Sequence, residues 1–170
     1  MSAAHIQVPR GLTTEGLLGK RYLARWIDSA LMLVATYLAF FVEGAIFGPV
    51  EGMELLLVSV LTYPPIWIGY PAFAESSGWQ ATIGKKVMGL RVYSSDGGQL
   101  TPAQAAGRAL VKDGPFLLLG ALPDGRAFAW LWLVAHLVVM HRSPVHQAIH
   151  DRAAGTWVAA PEETTQLRIS

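Results

Sequence analysis

Long apolar runs alternate with short polar stretches along the chain. Residues 26–48 read "WIDSALMLVATYLAFFVEGAIFG" and residues 53–74 read "MELLLVSVLTYPPIWIGYPAFA". Each matches the roughly 20 residues that span a hydrocarbon core. A third apolar region runs from Pro115 to Met140, interrupted by "PDGR" at 123–126. Pro-Asp-Gly is a turn signal, so this region reads as two helices. Thr101 can cap the first and Pro102 suits its first position, which predicts a helix near 102–122 and another over about 127–141. The expected fold is an all-α membrane protein, a four-helix transmembrane bundle whose last two crossings are short. The alternative is three spans plus a re-entrant segment.

The polar stretches suggest a small cap on this bundle. In "GLRVYSSDGGQLT", Val, Leu and Tyr flank Asp96-Gly97-Gly98, the pattern of a β-hairpin with a glycine turn. "GTWVAA" is a short strand candidate that could pair with it. Residues 1–19 and 161–170 then read as tails around a transmembrane domain at 20–160.

Charge orients the expected bundle. The loop 43–54 holds Glu43, Glu51 and Glu54 and no base. Basic residues stand instead at Arg10, Lys20, Arg21 and Arg25, at Lys85, Lys86 and Arg91, and at Arg142, Arg152 and Arg168. The positive-inside rule places both termini and the central loop in the cytoplasm, which requires an even number of crossings. Arg126, in the outer turn, is the exception. Composition agrees with a membrane address: 52% of residues are hydrophobic and 15% charged, against about 25% charged in soluble domains. The net charge of +1 offers nucleic acid no strong attraction. With no cysteine, thiol catalysis and cysteine-ligated zinc are excluded. The N-terminal stretch lacks the apolar core of a cleaved signal peptide.

Two features of the apolar runs need partners. Arg21, Arg25 and Asp28 are spaced by four and three residues, hence share one helix face. That face continues through Met32, Ala35, Thr36, Ala39 and Glu43, a small and polar stripe suited to packing against other helices. The arginines can satisfy Asp28 locally and also anchor the helix end at the headgroups. In the second run, Pro64 and Pro65 remove two amide donors, which predicts a kink. The freed carbonyls of Val60 and Leu61 fall to Ser59, Thr62 or a water. The break reads as a packing kink or as a hinge that coordinates a cation.

Three segments taken in order carry a resemblance. "RYLARWID" holds Arg21 and Asp28. "ATIGKKVMGLRVYSSDG" holds Thr82, Gly84, Lys85, Gly89 and Arg91. "HDRAAGTWV" holds His150, Asp151, Gly155 and Thr156. Around hydrophobic spans, this set resembles the RDD family of small multi-pass membrane proteins, over residues 20 to 160. The resemblance places the family's one arginine and two aspartates on Arg21, Asp28 and Asp151, with Arg108 as a further basic residue. It implies a membrane address, read here as the bacterial cytoplasmic (inner) membrane. Some members have been proposed as cation/proton antiporters, and others serve as subunits of complexes.

Other chemistry is thin. "ATIGKKV" is no Walker loop: Trp79 stands where the first glycine belongs and Lys86 where Ser or Thr belongs. Its basic residues could meet anionic lipid, or Gly84 and Gly89 could let the loop dock on the bundle while Arg91 meets Asp151 or Asp28. His146 and His150 lie one turn apart, but only His141 is near as a third ligand, so no metal is assigned. No cofactor and no enzyme activity are expected. The expected partners are the bilayer and either another membrane subunit or a second copy. Two roles remain. In the first, Arg21, Arg25, Asp28, Arg91, Arg108, His150 and Asp151 form an ion-pair network that fastens the cap of an accessory subunit. In the second, a homo-oligomer transports a cation or proton, with Asp28 as carrier and Glu43, Ser59, Thr62 and His136 as the path. Few midplane polar groups and a chain too short for inverted repeats favour the first.

Overall fold

A computed structural model describes residues 10–49, 51–120, 125–143 and 146–161. Helix α1 (Leu18–Phe47) is the longest element. Its buried residues are Ala24, Asp28, Met32 and Thr36, a stripe of one residue every four. The outward faces carry Leu31, Val34, Leu38, Phe41 and Ile46, all exposed. Polar groups inside and apolar groups outside invert the pattern of a soluble helix, and lipid is the solvent that suits it. Of the expected stripe, Ala35 is exposed and Ala39 and Glu43 are half-buried, because the neighbouring helix covers only part of the face.

The second run forms α2 (Gly52–Pro64), a π-helical turn (Pro65–Gly69) and α3 (Tyr70–Ser76). The prolines are absorbed by this wider turn, in which the Tyr70 N–H reaches the Pro65 carbonyl. Thr62 serves another purpose than the one expected. Its Oγ1 donates to Glu43 Oε1 at 2.6 Å, and Trp67 Nε1 donates to Thr36 Oγ1 at 3.1 Å, so both tie this run to α1. Among the described residues, α1 and Gly52–Ser76 are the two helices long and apolar enough to cross a membrane. Only 11% of the most apolar window of each is buried, unlike the core helix of a soluble protein.

Next come α4 (Ile83–Val87), strand β2 (Arg91–Ser94), α5 (Pro102–Gly120), α6 (Gly125–Arg142) and α7 (Ile149–Ala153). Thr101 caps α5 as expected: it accepts the Gln104 N–H at 3.2 Å, while Gln104 Oε1 accepts the Thr101 N–H at 3.0 Å. The expected turn at Pro123 lies outside the described residues. The described parts of α5 and α6 reach less far along the bundle than α1. An ion pair of 2.5 Å sets Arg25 of α1 level with Asp113 of α5. From that level α1 continues to Phe47 for about 33 Å, while α5 continues to Gly120 for about 11 Å. Trp132 of α6 donates to the Val111 carbonyl at 3.2 Å, and from Trp132 to Gly125 is again about 11 Å.

The cap is a three-stranded antiparallel sheet, ordered β1 (Leu12–Thr13), β3 (Thr156–Pro161), β2. Val92 pairs with Val158, and Thr13 with Ala160. The expected hairpin does not form. Gly97 closes a turn onto the Ser94 carbonyl at 2.8 Å, but the chain then enters α5 and β3 takes the place beside β2. Strand β1 lies in the stretch read as a tail. Leu17, Ala24, Leu90, Val92, Leu100, Ala105, Val158 and Ala160 form the core between the sheet and α1.

Candidate functional site

The charged residues converge where the cap meets the helices. Asp28 is buried on α1. Its Oδ2 accepts from Thr82 Oγ1 at 2.5 Å, and its Oδ1 from the Gly84 N–H at 2.8 Å and Tyr70 OH at 3.3 Å. Among the described residues no arginine bonds to it, contrary to the local pairing expected. The reason is the close seat of α4: a Cβ on Gly84 would stand 2.2 Å from the Ala24 carbonyl oxygen and 2.9 Å from the Asp28 carboxylate. Only glycine lets the 82–84 backbone reach the acid.

Released from Asp28, the arginines find acids distant in sequence. Arg21 Nη2 meets Asp151 Oδ2 at 2.5 Å, and Nη1 donates to the His146 carbonyl at 2.5 Å. Arg108 holds the other side of Asp151, with Nε at 3.0 Å and Nη2 at 2.5 Å from Oδ1. Its Nη1 pairs with Glu75, which also takes Lys85 Nζ at 2.7 Å. A second group joins Asp113 to Arg25 at 2.5 Å and to Lys112 at 3.3 Å. The side chains of Arg108 and Asp151 are 2% and 0% exposed, so these are buried pairs.

Helix α7 presents Asp151, whose Oδ2 also accepts the Ala148 N–H at 3.0 Å. Burial pushes the Asp151 carboxyl up, but Arg108 and Arg21 outweigh burial and hold it well below the usual carboxylate range. Its neighbour His150 stacks on His136, rings 5.0 Å apart. Burial drives the His150 imidazole well below its ordinary value; Asp151 opposes this, and Arg108 and Lys112 add to it. His150 is therefore neutral near pH 7.

The expected residues divide clearly. Arg21, Arg25, Asp28, Arg108 and Asp151 join the buried layer, with Thr82 and Gly84 as direct partners of Asp28. Lys85 pairs with Glu75. Gly89 and Gly155 make turns at φ +70° and +61°. Thr156 donates to the Asp151 carbonyl at 3.3 Å. Arg91 is a correction: it is exposed on β2, opposite Ala159, because strand alternation buries Val92 and turns its neighbour outward. Pro64 and Pro65 lie outside this layer. Three members went unread: Glu75, Lys112 and Asp113. The available signal was the surplus of cations on the face of Arg21 and Arg25. Among the described residues no three metal-ligating side chains converge.

Two exposed apolar helices of membrane length, tied to a small cap by buried ion pairs, define a membrane-type protein. The RDD family model matches residues 16–155, and the chain belongs to that family. It is 29% identical to "Uncharacterized protein YxaI" of Bacillus subtilis (strain 168), over 52% of this chain and 69% of that protein. No solved structure matches it.

Proposed function

We propose that this protein is an accessory or assembly subunit of a membrane complex in the bacterial cytoplasmic membrane. Two full crossings, α1 and α2–α3, would carry the cap and both termini on the cytoplasmic side. The α5–α6 hairpin would enter the same leaflet without crossing, since about 11 Å is well short of a ~30 Å hydrocarbon core. This reading replaces four crossings and keeps the number even.

The observation that carries the role is the engagement of the acids. Asp28, Glu75, Asp113 and Asp151 each have donors from within the chain. Carboxylates so held suit fastening better than carrying. The outward faces of α1 and α2 remain for lipid or a partner's helices. The test is the mass and composition of the particle solubilised gently from its native membrane. A foreign subunit in fixed ratio is expected; a pure homo-oligomer would overturn the accessory role.

One observation favours a second reading, proton or cation transport by a homo-oligomer: the buried His136–His150 stack beside Asp151. On that reading Asp28→Asn abolishes flux in liposomes while leaving the fold intact. On the accessory reading there is no flux to lose.

A further inference from the structure

We propose that the cavity between α1, α5, α6 and α7 binds the headgroup of an acidic, hydroxyl-bearing phospholipid such as phosphatidylglycerol. The cavity measures about 120 Å³. Drug-sized ligands take roughly 300–1,000 Å³, so it suits one compact group. Arg21, Arg25, Lys85, Arg108 and Lys112 line it against a single carboxylate, Asp28. Asp28 is occupied by Thr82, Gly84 and Tyr70. Glu75, Asp113 and Asp151 stand behind the cations and are absent from the lining. Five cations against four carboxylates leave this layer with a surplus positive charge directed at the cavity. An anion is the ligand that matches it.

The imidazoles add a second requirement. His136 and His150 both line the cavity and are more than nine-tenths buried. Among the described residues, His136 Nε2 and His150 Nδ1 have no hydrogen-bond partner. His136 Nδ1 faces the Trp132 carbonyl at 3.2 Å and so carries the ring proton, leaving Nε2 as an acceptor. His150 Nε2 lies 3.5 Å from Asp151 Oδ1, too far to fix its tautomer, so either ring nitrogen can carry the proton. One buried acceptor and one uncommitted ring nitrogen beside an anion site suit hydroxyl groups, which both donate and accept. A phosphate carrying a glycerol supplies both charges and donors.

The remaining wall fits the tail. Phe116, Leu133, Leu137 and Met140 form the apolar side. Leu137, partly exposed, also lines a shallow groove with Tyr22, Val138, His141 and Arg142. A diacylglycerol would lie against the apolar wall of Phe116, Leu133 and Leu137.

The inference rests on the membrane reading above and not on an accessory role, so either can fail alone. The test uses the full chain, stripped of lipid in a neutral detergent. Native mass spectrometry and thermal unfolding follow addition of phosphatidylglycerol, phosphatidylcholine of the same chains, glycerol phosphate or inorganic phosphate. Phosphatidylglycerol should be retained and raise Tm by about 5–10 °C at a hundredfold excess over Kd. Phosphatidylcholine should not. Lys112→Gln, which leaves Asp113 paired with Arg25, should weaken binding about tenfold or more. Leu137→Trp on the apolar wall should block it with every charge in place. Equal binding of phosphatidylcholine, or undiminished phosphatidylglycerol binding by Leu137→Trp, would overturn the proposal. The full shift from glycerol phosphate or inorganic phosphate alone would assign the cavity to a free anion and also overturn it.

Discussion

Gly84→Ala is the sharpest probe of the layer that joins cap and membrane. The added methyl would meet the Ala24 carbonyl oxygen at 2.2 Å, more than 1 Å inside ordinary contact. That oxygen is backbone, in the second turn of α1, and cannot swing away. Helix α4 must therefore lift. Lifting stretches the Gly84 N–H and Thr82 hydroxyl bonds to Asp28, now 2.8 and 2.5 Å. Overpacking costs about 1–3 kcal/mol, and losing one hydrogen bond to a charged acceptor about 1.5–3 kcal/mol more. The sum is a large share of a typical 5–15 kcal/mol stability. Tm in detergent should fall on the order of 10 °C. Gly107→Ala is the control, since its methyl would find nothing within 4 Å on a helix of the same layer. It should hold or raise Tm by a few degrees, given alanine's advantage of up to about 1 kcal/mol in helices. A Gly84→Ala protein melting with wild type would refute the seating of α4 on α1.

Further outcomes follow from the same geometry. Asp113→Ala leaves Arg25 and Lys112 without their counterion; it should cost about 3–5 kcal/mol and lower the yield of folded protein, measured by fluorescence-detected size exclusion. Arg108→Lys cannot bridge Glu75 and Asp151 with one ammonium, so Tm should drop by several degrees, and a wild-type Tm would count against the bridge. The contribution of His150 to stability should be full above about pH 6.5, because it is neutral when folded and protonates more readily when unfolded. It should decline below that pH by up to about 1.4 kcal/mol per unit, and His150→Gln should flatten the slope of Tm between pH 5 and 7. The depressed Asp151 carboxyl contributes stability above its unfolded value near pH 3.9, lost as pH falls further.

The lipid-facing helices were legible because their apolar runs are local and long. The shared face of Arg21, Arg25 and Asp28 followed from helical spacing. Their partners did not. Arg21 reaches Asp151 across 130 residues, and no periodicity encodes such a pairing. The close docking that Gly84 permits was read from the sequence, and Thr82 was legible through its resemblance to a family pattern; nothing in "ATIGKKV" announces a bond to Asp28. Glu75 closes an apolar run, and Asp113 sits amid helix residues, so both passed as boundary charges. Arg91 misled because charge alone was weighed, while β2 places Val92 inward and Arg91 outward. The glycine turn at Asp96–Gly98 was read correctly, but its return strand was not, since β3 completes the sheet from the far end of the domain.

That central position of β3 sets the order of assembly. Strands β1 and β2 do not touch each other, and both await residues 156–161. Asp151, the anchor for Arg21 and Arg108, emerges only slightly earlier. During synthesis Arg25 and Arg108 can pair early with Asp113 and Glu75, but Arg21 waits for Asp151 in the last tenth of the domain. A chain cut short before β3 would keep these pairs and lose the sheet that joins β1 to β2.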